Sequence, residues 1–247
     1  MFTLDNVKIN KIPFPYFVKN NVLPHEVAEK AQHEILNIKK EKWDRYDNPF
    51  ENKYTLRDKN DLPKTVNDIF NFLTSEIFLD ELSKVYNIKL YNDPTKNWWG
   101  VHKYDNGDKL DIHVDAGFNL EDIIYKQTLV PFDNYGQTVI FKNKFYGYAT
   151  NFTIDQKEIE EFKNQFTPGK NKRSDDHRKL YGDKDFDKKL HSQYLKHVNY
   201  DNLKGLEIEL IYEWNVGDLL VFDRTHIHAA SCNINKKKTG LATFTKK

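Results

Sequence analysis

Tyr104-Asp-Asn-Gly-Asp-Lys-Leu-Asp-Ile-His113-Val-Asp115 sets an imidazole and a carboxylate two residues apart in a stretch of alternating polar and apolar side chains. On a β-strand, side chains two apart point to the same face, so His113 and Asp115 reach one ion together. By itself a His-x-Asp pair is common by chance on protein surfaces. What raises its weight is a second β-rich stretch, entered through a glycine: Gly217-Asp-Leu-Leu-Val-Phe222-Asp-Arg-Thr-His226-Ile-His228-Ala-Ala-Ser231.

The apolar run Leu219 to Phe222 predicts a buried strand just before these histidines and so puts His228 at the rim of an apolar cavity. Such a setting disfavours a charged imidazole and suits a neutral, metal-bound one. Two histidines and one carboxylate, with other positions open, suit non-haem Fe(II). His226 and His228 share a face, so alternation does not choose between them. A cupin-like pair His226/His228, completed by His113 without Asp115, is a competing ligand set. Ordinary polar residues on an exposed barrel edge explain either segment alone, but explain the two together less well.

Composition narrows the function classes. Lys plus Arg number 38 and Asp plus Glu 37, for a formal net charge of +1, so the broad basic excess of a dedicated nucleic-acid binder is missing. Nucleic acid is a disfavoured partner. The single cysteine, Cys232, forms no internal disulfide and is read as a buried structural thiol. The opening residues Met1 to Lys11 break every apolar run with a charge or amide, and no stretch approaches the roughly 20 apolar residues of a membrane span. A soluble cytoplasmic protein is expected. Oligomeric state is not legible.

The 247 residues read as one domain, with a helical front over about 1–95 and a β core over about 96–247. Residues 12–22 suggest an opening strand. Val27, Ala31, Ile35 and Ile38 lie at helical spacing behind Pro24. Two further apolar stripes, Val66, Ile69, Phe70, Leu73 and then Phe78, Leu79, Leu82, Val85, predict helices broken near Thr74-Ser75. Strands are predicted at 98–104, 110–115, 126–132, 137–142, 206–214, 218–222, 225–231 and 239–245. Helices first and strands afterwards imply an α+β chain with a sandwich or barrel bearing the site. Trp98, Trp99 and Trp214 read as core. From about 145 to 205 the strand pattern lapses, and the mixed-charge tract starting at Lys170 reads as a solvated loop with short helical pieces, or as a lid over the site.

Taken together, the segments resemble the Fe(II)/2-oxoglutarate-dependent dioxygenases, especially the prolyl-4-hydroxylase-like branch. Tyr104, Gly107, His113 and Asp115 match the first half of that pattern, with the histidine nine residues after the tyrosine. Gly217-Asp218, Phe222, His228-Ala229 and Lys238 match the second, with the basic residue ten positions beyond the histidine. The resemblance covers 98–142 and 206–245, and the helical front more loosely.

It implies a double-stranded β-helix (jelly-roll) core, with His113, Asp115 and His228 as iron ligands and catalytic centre. It further implies 2-oxoglutarate anchored by Lys238 with a hydrogen bond from Tyr104, and dioxygen as co-substrate. The implied reaction is hydroxylation of a peptide, an amino-acid residue or a small polar metabolite, with release of succinate and carbon dioxide. Lys236 shares the face of Lys238 and is a rival anchor, while Lys237 faces away. Arg224 and His226 are candidates for substrate contact at the cavity mouth. Two positions depart from the pattern: Leu110 stands where a cofactor-binding tyrosine is common, and Gly240 where many relatives carry serine. From a different class, a non-catalytic or differently metallated cupin-like β-barrel binding module would keep the scaffold without turnover; His113, Asp115, His228 and Lys238 all being present argues for turnover.

Overall fold

The computed structural model describes residues 4, 6–48, 50–92, 99–115, 126–145, 150–151, 182–231 and 234–246. Trp98, Cys232 and most of the charged insertion, including the tract from 170 to 181, lie outside the described residues.

The apolar stripes form three helices on one side of a sheet. Helix α1 (His25–Leu36) buries Ala28, Ala31 and Ile35. Helix α2 (Lys64–Leu73) buries Val66, Ile69, Phe70 and Leu73, and α3 (Glu76–Tyr86) buries Phe78, Leu79 and Leu82. The expected break falls where the sequence puts it. Ser75 accepts a hydrogen bond from the Phe78 N–H to cap α3, and Asn87 ends that helix in the left-handed conformation.

The strands are β1 (Phe17–Lys19), β2 (Asp44–Asp47), β3 (Asn52–Leu56), β4 (Tyr91–Asn92), β5 (Gly100–Tyr104), β6 (His113–Val114), β7 (Lys126–Pro131), β8 (Gln137–Lys144), β9 (Thr150–Asn151), β10 (Ile208–Glu213), β11 (Leu219–Asp223), β12 (His226–Ala230) and β13 (Lys238–Lys246). They form two antiparallel sheets. The larger has eight strands in the order β1-β11-β7-β13-β5-β3-β2, with β4 also on β13, and the smaller has five in the order β10-β8-β12-β6-β9.

Alternation sorts the side chains into layers. Leu219 and Val221 of β11 join Val101, Val130 and Leu241 in the core shared with the helices. Leu220 and Phe222, one residue out of step, meet Leu129, Ile140, Tyr212 and Trp214 between the two sheets. On the far side, Ile112, Val114, Val139, Phe141, Ile227 and Ala229 pack under Phe186, Leu195, Val198, Leu203 and Leu206. The described end of the insertion therefore differs from a solvated loop. Residues 182–185 are exposed, but the helical turns that follow cover the smaller sheet.

The sequence reading assigns no element to residues 39–61, where β2 and β3 form a hairpin. Their Asp, Arg, Asn and Lys side chains hide the apolar alternation by which a strand is read. The hairpin is held by pairing with β5 and by backbone bonds from Asn52 N–H to the Lys109 carbonyl (2.8 Å) and from Asp111 N–H to that of Phe50 (2.7 Å). The Arg45 guanidinium adds a two-pronged pair of bonds to Asp108, at 2.9 and 2.8 Å. Among the described residues no helix is long and apolar enough to cross a membrane.

Candidate metal centre

Strands β6 and β12 are neighbours in the smaller sheet, and their register sets His113 opposite His228. Opposed residues on antiparallel strands share a face, so both rings point between the sheets, 4.2 Å apart at their centres. Asp115 joins them: Oδ1 is 3.7 Å from His113 Nε2 and Oδ2 is 3.2 Å from His228 Nε2. One ligand atom from each of the three residues lies within 4.8 Å of the others.

Each ring is oriented from behind. His113 Nδ1 lies 2.8 Å from the Asp111 carbonyl oxygen, and His228 Nδ1 lies 2.9 Å from that of His226. A carbonyl only accepts, so each ring donates its Nδ1–H backward and presents Nε2 toward Asp115. Burial, helped by the neighbouring His228, lowers the pKa of His113 to about 4. Burial opposes the charge on Asp115, but His228, His113 and Lys53 outweigh it and hold the carboxyl below its usual range.

Asp115 Oδ2 is buried and makes no hydrogen bond among the described residues. Two nitrogens and one oxygen, with no fourth ligand among the described residues, fit a divalent transition-metal ion that keeps open positions.

Lys238 opens β13 and is fully buried, whereas Lys236 and Lys237 are exposed. Its ammonium lies 3.7 Å from the centre of the Trp214 ring and 5.9 Å from that of Tyr104, and it donates a hydrogen bond of 3.3 Å to the Gln137 carbonyl. Gly136 makes room for it: φ is +76°, and an added Cβ would sit 3.1 Å from Nζ. The nearby acid Asp133 is engaged elsewhere, accepting from the Thr239 N–H and hydroxyl at 2.6 Å each. Burial thus dominates and pushes the Lys238 pKa from 10.5 down to about 7, with Asp133 and Glu213 only partly opposing.

A buried cation with aromatic faces and one carbonyl is suited to receive a ligand's carboxylate. It shares the interior with the histidines, since Phe222 lies edge-on to His228 and in the same buried cluster as Trp214. Tyr104 pairs with Lys238 across the strands, and burial raises its phenol to about 12.

The two departures from the expected pattern have structural counterparts. An added Cβ on Gly240 would lie 2.9 Å from the Trp214 ring, so the indole takes the place beside β13 that a serine would need. Leu110 packs with Tyr104, Ala230 and Ile234 in a small apolar cluster. Asp218 is structural in its contacts, accepting from Asn20 Nδ2 and the Asn21 N–H at 2.9 Å each and so tying the loop after β1 to β11.

Arg224 and His226 differ from the expectation of a cavity mouth, because both are fully buried. The Arg224 guanidinium lies over Phe244, and His226 stacks on Phe14 while its Nδ1 bonds to the Phe141 carbonyl at 3.0 Å. A register shift between His226 and His228 in the β12/β8 pairing separates two rings that simple alternation would align. The three-residue cluster contains His228 and not His226.

Sequence reading missed the groups that β3 and β5 bring beside this centre. Glu51 and Lys53 form an ion pair of 2.8 Å, and Lys53 is close enough to shift both Asp115 and Tyr104. The period-two spacing of Glu51, Lys53, Thr55 and Arg57 was the available signal.

No protein-family model matches the chain, and no curated protein matches it. Among solved structures, a prolyl-4-hydroxylase from Pseudomonas putida superposes with a TM-score of 0.53 at 9% identity, covering 94% of this chain and 92% of that one. HygX from Streptomyces hygroscopicus, with nickel and 2-oxoglutarate bound, superposes with a TM-score of 0.52 at 11% identity, covering 94% of this chain and 82% of that one. This chain has their fold. At such identities the likeness concerns the scaffold, and the chemistry rests on the side chains described above.

Proposed function

We propose that the chain is an Fe(II)- and 2-oxoglutarate-dependent dioxygenase of the prolyl-4-hydroxylase-like branch, a cytoplasmic hydroxylase whose two sheets form one double-stranded β-helix domain over 1–247. The observation that carries it is the convergence of the His113 and His228 rings and Asp115 at one point, with a buried Lys238 side chain in the same interior.

His113, Asp115 and His228 would hold the iron, while Lys238 would pair with the distal carboxylate of 2-oxoglutarate and Tyr104 would donate a hydrogen bond to it. Iron held by these residues would supply, with dioxygen as oxidant and one oxygen atom passing to succinate and one to the hydroxylated product, oxidative decarboxylation of 2-oxoglutarate to succinate and carbon dioxide coupled to hydroxylation of a peptide, amino-acid residue or small polar metabolite. The protein's own part is to fix the ring orientations through the Asp111 and His226 carbonyls and to keep water away with Phe222 and Trp214. The presence of His113, Asp115, His228 and Lys238 together favours turnover over a binding module.

Anaerobic protein given Fe(II) and 2-oxoglutarate should develop the visible charge-transfer band of the chelate. His113→Ala should abolish it, and Lys238→Ala should weaken 2-oxoglutarate binding far more than Lys236→Ala. A wild type without the band, or a band undiminished in His113→Ala, would sink the assignment.

A further inference from the structure

The interior face of the larger sheet does not stop at Lys238. Strand register sets Tyr104 beside Lys238 and His102 beside Gly240, and then Thr55 beside His102 and Lys53 beside Tyr46. Opposed residues share a face. Period two therefore puts Glu51, Lys53, Thr55 and Arg57 on the same side as His102, Tyr104 and Lys238. Tyr54, Leu56, Val101 and Leu241 point the other way, into the core under the helices. Arg57 follows the end of β3, and its side chain is on the interior side: the Cβ direction of Gly100 meets Arg57 Cγ at 3.4 Å and His102 Cε1 at 3.7 Å.

This strip is polar, half-buried and incompletely bonded. Thr55 Oγ1, His102 Nδ1 and Arg57 Nε are buried atoms with no hydrogen-bond partner among the described residues. Three such atoms side by side are unusual in a folded interior, and a ligand's polar groups would satisfy them. The Arg57 guanidinium rests 5.2 Å from the Tyr46 ring centre and bonds to that residue's hydroxyl. His102 spans the interval to the metal centre, within electrostatic reach of Lys53 and Arg57 on one side and of Asp115 and His113 on the other.

Charge matching selects the ligand. Lys53 is matched by Glu51, whereas Arg57 forms no ion pair among the described residues. On the reading proposed above, the iron and 2-oxoglutarate charges cancel, as do those of Asp115 and Lys238. Arg57 is then a charge with no ion-pair partner among the described residues, and its planar fork fits a carboxylate with two parallel hydrogen bonds.

We infer that Arg57, held by Tyr46 and flanked by Thr55 and His102, is a specificity-determining residue that binds a carboxylate of the substrate. The substrate class is accordingly a free amino acid or small carboxylic acid rather than an internal residue of a peptide. This rests on the dioxygenase reading and deepens it.

The test is calorimetric titration of the anaerobic protein, loaded with Fe(II) and 2-oxoglutarate, with the free L-amino acids and with their primary amides. At least one acid should bind at least about tenfold more tightly than its amide. Arg57→Gln should erase that preference, Arg57→Lys should keep part of it, and both should leave the charge-transfer band and 2-oxoglutarate affinity unchanged. Equal binding of acids and amides, binding of peptides but of no free acid, binding of none of them, or an undiminished preference in Arg57→Gln each overturn the inference. Failure of the dioxygenase reading is a separate result, absence of the band from the wild type, and the preference for acid over amide is read by heat whether or not the band forms.

Discussion

Lys238 carries a large electrostatic cost, because its ammonium is fully buried and its pKa falls from 10.5 to about 7. Between those values the unfolded chain binds more protons than the folded one, so folding stability rises with pH from about 7 upward, and the cost is fully present below 7. Lys238→Met should therefore stabilise the ligand-free protein by about 2–4 kcal/mol at pH 6, with the gain shrinking toward pH 10, in denaturant titrations. A gain that stays constant with pH would assign the effect to packing. His226 makes the opposite case: it contributes to the core by stacking on Phe14. His226→Ala should cost about 2–4 kcal/mol while sparing metal affinity, whereas His228→Ala should lose metal binding. Equilibrium dialysis against Mn(II) separates the two. Alternation along the strand could not tell these histidines apart, because what distinguishes them is a register shift against β8, a property of the pairing rather than of either residue.

The elements that were legible are those with an apolar face. The three helices bury one apolar face at period 3.6, and β11 is a continuous apolar run buried on both faces. The hairpin of β2 and β3 was not legible because its interior side is charged and its partners, β5 and residues 108–111, lie some fifty residues away. Its attachment is correspondingly light. Arg45→Ala removes the two-pronged bond to Asp108, and should cost only about 0.5–1 kcal/mol globally while sharply raising amide exchange across 44–56. Unchanged exchange in that hairpin would show that strand pairing alone holds it. The ligand pair His113 and Asp115 was visible because it is local in sequence; its joining to His228 depended on the pairing of β6 with β12.

Across the whole molecule, the proposed metal centre joins chain segments more than a hundred residues apart, and the sheet carrying it is packed on both faces. An ion bound there exists only in the folded state. Mn(II) at about 100 times its dissociation constant should raise stability by about 2.7 kcal/mol, or roughly 5–10 °C in Tm. Asp115→Ala should remove most of that shift; an equal shift in the variant would place the ion elsewhere.

The contact of Trp214 with Lys238 also gives the chain an optical gauge. Trp43 and Trp99 pack on the helix side of the larger sheet, but the Trp214 indole lies directly against the ammonium and donates its N–H to Thr138 at 2.8 Å. A dicarboxylate arriving at Lys238 changes the electric field along that one ring. Its emission should shift on titration with 2-oxoglutarate, so cofactor arrival becomes measurable by fluorescence without metal, oxygen or substrate, with Trp214→Phe as the blank.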